Sequence, residues 1–173
     1  MELTGKEREL KPSEIISTRS DTRGVITYVN SAFTAVSGYS REEALGKPHL
    51  IIRHPDMPRA VYFLMWQALK SGEEFFGVTK NRCKNGDHYW ACGSFQPDKE
   101  NGELIGYRST RQGLIGVGKN ALKREFDRLY REVREVELAQ PRPQQIEAGL
   151  EALTRLLKKR GHAGYEDYAR RAL

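Results

Sequence analysis

Two stretches concentrate the side chains that could do chemistry. "IIRHPDMPRAVYFLMW" (Ile51–Trp66) and "KNRCKNGDHYWACG" (Lys80–Gly93) together hold His54, His88, both tryptophans and both cysteines. Such a cluster can be a catalytic centre, a metal site or the lining of a cofactor pocket. Catalysis lacks a signature here: there is no GxSxG, no P-loop and no HExxH, and no nucleophile–base set is legible. The chain is therefore expected not to be an enzyme. A metal site lacks its spacing, because Cys83, His88 and Cys92 surround one hairpin without the paired ligands that zinc takes. A pocket lining remains, or the plain packing of a helix on a sheet.

The elements that would position these groups are readable from period and punctuation. Ile15–Asn30 reads as two short strands around a turn at Asp21–Gly24. Ser31–Ser37 is a short helix that Asn30 can cap and Gly38 can end. Ser40 with Glu43 three residues on forms a capping box for a second short helix. Pro58 opens a longer one, tolerated there because the N–H it lacks had no helical partner. Phe75–Arg82 and His88–Gln96 flank Asn85-Gly86, a hairpin turn signal, and Leu104–Arg111 is one more strand. This is an α+β pattern of five antiparallel strands with short helices on one face. It divides as an arm at 1–14, a domain at 15–113 and a helical extension at 114–173. In the extension, Leu122, Phe126, Leu129, Tyr130, Val133 and Val136 share one face of a helix of about twenty residues. That face can cover the sheet, or pair with a second copy as a homodimer through 118–138; its heptad spacing is short for a coiled coil.

Composition narrows the class. The 173 residues are 38% hydrophobic and 30% charged, as in a soluble globular protein. No apolar run is long enough for a membrane span, and the charged N-terminus carries no secretory signal, so the cytoplasm is expected. The formal charge of +6 lies mostly after residue 117, but mixed in sign along helices. That reads as solvated helix faces rather than a nucleic-acid surface.

The order of elements, with "NSAFTAVSGYSREEALGKP" before a pocket helix and a "KNGD" hairpin after it, resembles a PAS domain. "RHPDMP", "KNRCKNGDHYW" and Gly106, Tyr107, Ser109 and Arg111 are similar to the sensor of bacterial aerotaxis receptors. The resemblance covers about residues 15–113. It implies a PAS fold that holds FAD non-covalently and reports redox state to a chemotaxis-type or other receptor or kinase partner. Such receptors continue into a membrane anchor and a methyl-accepting domain, neither of which is expected in this sequence.

A flavin needs a flat apolar slot, a few polar groups for its edge, and cations or N–H groups for its phosphates. By that analogy Arg53, His54, Asp56, Trp66 and Asn81 are the cofactor-binding candidates. Trp66 can face the slot or be a core tryptophan. Arg53 can meet a phosphate or ring carbonyl, or pair with Asp56 where Asp56 caps the helix. Asp56 can also orient Arg53 or His54. Asn81 can match the alternating ring edge, or be an exposed strand residue, since strand parity is open by one position. Only one of Tyr89 and Trp90 faces the pocket. The region matching the adduct-forming motif of flavin photoreceptors, "GKPHLIIRH", has no cysteine, so Cys83 and Cys92 read as inert strand residues. Two other readings stand: a haem-bound gas sensor with His54 or His49 as axial ligand, and a ligand-free interaction module.

Overall fold

The computed structural model describes residues 2–173. Five strands form one antiparallel sheet: β1 (Ile16–Ser20), β2 (Ile26–Val29), β3 (Phe75–Arg82), β4 (His88–Glu100) and β5 (Glu103–Gln112), in the order β2-β1-β5-β4-β3. Between β2 and β3 come α1 (Ser31–Ser37), α2 (Arg41–Ala44), a 3-10 turn at His49–Ile52, and α3 (Arg59–Lys70). After β5 come α4 (Lys119–Leu138), α5 (Gln145–Lys159) and α6 (Tyr165–Ala169). The expected strands and helices are all present. β4 runs four residues beyond the predicted Gln96 because its ladder with β5 continues to Glu100–Glu103.

Local chemistry sets the early elements. Asn30 Oδ1 accepts from the Phe33 amide, capping α1, and also from the Ser17 amide, which ties the helix start to β1. Ser40 and Glu43 form the reciprocal capping box that starts α2. Gly86 sits at φ 93° in the β3–β4 turn, where an added Cβ would lie 2.2 Å from the Glu2 carbonyl oxygen. The N-terminal arm is held against that hairpin: Thr4 N donates to Gly86 O, and Arg8 N to His88 O.

Strand alternation divides the core in two. Thr79, Asn81, Tyr89 and Ala91 face α1–α3, and Val78, Lys80, Trp90 and Cys92 face the C-terminal helices. The extension wraps β3, the sheet edge. Phe126, Leu129, Tyr130 and Val133 of α4 are 0–1% exposed, and each such burial is worth about 1.5–3 kcal/mol. The backbone groups of β3 that an edge would leave bare are also met. The Phe76 amide donates to Glu166, the Val78 amide to the Tyr165 hydroxyl, and the Val78 carbonyl accepts from Tyr130. The apolar stripe of α4 is thus spent inside the chain, and a dimer through 118–138 would have to displace these contacts. No helix among the described residues is long and apolar enough to cross a membrane.

Candidate cofactor site

A cavity of about 320 Å³ lies between the sheet and the segment from the 3-10 turn to α3. Its size is at the small end of ligand pockets. Its walls are apolar and aromatic: Tyr62, Met65, Trp66 and Leu69 come from α3, Phe95 from β4 and Tyr107 from β5. These α3 residues recur at helical spacing, so one face of the helix supplies them all. Trp66 meets Tyr107 edge-on, with ring centroids 5.1 Å apart. Gly24, at φ 80° in the β1–β2 turn, packs against the Trp66 indole.

The polar groups gather on the strand side. Asn81 is 3% exposed and donates through Nδ2 to Thr79 Oγ1 at 2.9 Å. Thr18 Oγ1 bonds Ser109 Oγ at 2.9 Å and His49 Nε2 at 3.1 Å. Burial, helped by the nearby Arg111 cation, pushes His49 down to about 3, so its ring is neutral. Arg53 lies over the Tyr62 ring at 4.4 Å and donates to the Met57 carbonyl at 3.0 Å. Arg111 is 2% exposed, and its closest hydrogen bond is a long one, 3.4 Å from Nη2 to Thr18 Oγ1.

Arg53, Trp66 and Asn81 therefore line the cavity. His54 and Asp56 do not. Arg53 is extended and bridges Asn81, so its neighbour projects the other way. His54 and Asp56 instead border a polar cleft between the arm, β3–β4 and α4, with Lys80, His88 and Asp127. There the Lys80 ammonium sits 2.7 Å from Asp56 and 2.8 Å from Asp127. Burial alone would raise Asp56, but the hydrogen bond and charge of Lys80 outweigh it and the net shift is downward. His54 Nδ1 accepts the Asp56 amide at 3.2 Å, and burial followed by the Lys80 charge pushes its pKa down to about 4. His49 is left as the one histidine lining the cavity.

Sequence reasoning assigned no role to Thr18, Tyr62, Ser109 or Arg111. A signal for the last was there: Tyr107, Ser109 and Arg111 alternate along β5, so an aromatic, a hydroxyl and a cation share one face. A strand face that is otherwise core carries an arginine only when something meets it.

The comparisons with known proteins agree with this geometry. The PAS fold family matches residues 26–111. The aerotaxis receptor of Escherichia coli is 41% identical over 109 residues, covering 63% of this chain and 22% of the receptor. A biofilm dispersion protein of Pseudomonas aeruginosa is 32% identical over 81 residues, 46% of this chain and 19% of that protein. The chain thus spans about a fifth of the length of these curated relatives. Among solved structures, a PAS domain from Colwellia psychrerythraea superposes with a TM-score of 0.53 at 21% identity, covering 58% of this chain and 86% of that one. A light-oxygen-voltage domain studied with a flavin analogue superposes with a TM-score of 0.54 at 17% identity, covering 66% and 86%. Sheet order, cavity and matched residues converge: the stretch 26–111 of this chain belongs to the PAS family.

Proposed function

We propose that this chain holds FAD non-covalently in the cavity and relays its redox state through α4–α6 to a signalling partner. The observation that carries the reading is one cavity combining aromatic walls with buried amide, hydroxyl and guanidinium groups, in a chain 41% identical over 109 residues to an aerotaxis receptor. The residues fit the group. Trp66, Tyr62 and Tyr107 offer flat apolar faces, and Asn81 has a second amide function left for a ring edge. Arg53 is a cation held by one backbone carbonyl, with donors to spare for a phosphate or ring oxygen. A bound flavin would supply reversible electron transfer; the protein binds, orients and transmits. His54 and Asp56 act in this reading at one remove, through Lys80 and the cleft behind the sheet.

The relay has a short route. Pro58 has no side chain to cap α3, and Glu137 of α4 does so instead. Its carboxylate accepts the Arg59 and Ala60 amides at 3.0 and 2.9 Å and pairs with Arg134 at 2.9 Å. The helix that carries Tyr62 and Trp66 is thereby tied to the output helix. A shift of α3 reaches α4 without crossing the sheet, and β5 offers a second route through residues 113–118 into the start of α4.

The absorption spectrum of the purified protein, reconstituted with FAD where it comes colourless, tests the binding. A yellow protein whose released ligand runs as FAD is expected. A red protein with a Soret band would select haem on His49, and a protein that takes up neither would leave an interaction module. Amide-exchange protection of α4–α5 should then change on chemical reduction. Identical protection in both states would defeat the relay.

A further inference from the structure

We propose that Arg111 is, beside Arg53, a ligand-binding cation of the cavity, one whose counter-charge is brought by the ligand itself. The ligand class is a planar ring with a carbonyl edge that carries negative charge or gains it. The identity of that ring as flavin rests on the reading above; the role of the cation does not.

The case begins with an inventory of buried charge. Lys80 has Asp56 and Asp127, Lys123 has Glu7, and Glu137 has Arg134 and two helix amides. Arg111 is more buried than either lysine and pairs with no carboxylate among the described residues. Its Nε has no hydrogen-bond partner. A guanidinium cannot escape by losing its proton, so an isolated one is costly to bury. The groups around it are all neutral: Thr18, Ser109, His49, Tyr62 and Tyr89, with the Phe95 ring at 5.9 Å. Long contact to Thr18 and a ring at that distance satisfy only a fraction of its five donors. Arg111 also borders the cavity, so the place where a partner is lacking is the place where a ligand can stand. The planar fork suits an oxygen or nitrogen edge. A fixed cation there binds the more negative state of the ligand more tightly.

Arg111→Met keeps the length and removes the charge. Without ligand, the variant should unfold at a higher urea concentration than the parent, since an uncompensated buried charge is gone. With ligand, its dissociation constant for FAD should rise at least about tenfold. One electron added at an electrode, with no proton taken up, leaves one more negative charge beside Arg111. The midpoint potential should therefore fall, by about 59 mV for each tenfold loss of preference for the reduced form. Arg111→Lys should recover part of both. A variant that unfolds more easily when ligand-free, with affinity and potential unchanged, overturns the proposal: Arg111 would be structural. If the parent binds no FAD yet Arg111→Met is still stabilised, the flavin reading falls and the ligand-binding cation stands.

Discussion

Arg111 and Lys80 are two buried cations on opposite faces of one sheet, 2% and 5% exposed. Lys80 has two carboxylates within 2.8 Å, and Arg111 has none. The face of Lys80 is closed by α4, with the Trp90 and Tyr130 rings stacked at 6.1 Å, and its polar groups answer one another. The face of Arg111 encloses the cavity. The same residue class is structural on one side and poised for a ligand on the other. What separates them is whether the chain supplies the counter-charge.

The comparison breaks most visibly at Lys80. Lys80→Met leaves the half-buried Asp56 without its ammonium and Asp127 with only the exposed Arg131, and should cost about 3 kcal/mol in urea unfolding. The matching change at Arg111 has the opposite sign in the ligand-free protein. A Lys80 variant as stable as the parent would erase the distinction.

Glu137→Ala removes the cap from α3 and should cost about 2–3 kcal/mol. Gly149 of α5 makes room for that carboxylate; an added Cβ would lie 2.5 Å from Glu137 Oε1 and 3.1 Å from Ala60 Cβ. Gly149→Ala should therefore cost about 1–2 kcal/mol alone, and clearly less when Glu137 is already alanine, where only the 3.1 Å approach to Ala60 remains. Additive losses in the double variant would show that the two do not meet.

Acid sharpens the contrast further. His49 and His54 are held at about 3 and about 4 in the fold, below the ordinary 6.5, so the folded state binds fewer protons than the unfolded one. Their stability is complete above pH 6.5 and is lost as pH falls towards 4 and then 3. His54→Gln should flatten the fall of the urea midpoint between pH 6.5 and 4, worth on the order of 2 kcal/mol. Arg111→Met should shift the His49 part upward, because one of the two causes of its low value is gone. The smallest effect belongs to Arg131, whose exposed guanidinium also meets Asp127 at 2.6 Å. Arg131→Ala should change stability by less than about 0.5 kcal/mol, since Lys80 remains.

Much of the fold was legible in the residues. Asn30, the Ser40–Glu43 box and Pro58 act on neighbours a few positions away, and each does what its type predicts. Asn85-Gly86 marks the hairpin, but Gly86 alone takes a positive φ, so the turn is not the two-residue one in which both would. The site was legible in part. Trp66 and Asn81 lie where periodicity allowed them to lie, but parity decided the remainder. The one-residue step from Arg53 to His54 crosses the sheet, and sequence spacing carries no mark of that crossing. Thr18 and Ser109 lie far apart in the chain, and it is the β1–β5 ladder that brings their hydroxyls within hydrogen-bond reach.

By itself the sequence determined the elements, their order, the hairpin and the amphipathic spacing of the helix that carries Trp66. Only the tertiary structure decided that Lys80 meets two acids, that Arg111 meets none, and that Glu137 caps a helix more than seventy residues earlier. Secondary structure follows from forces between near neighbours along the chain. The fate of a buried charge is settled by residues brought together from afar, on whichever face the pleat happens to turn.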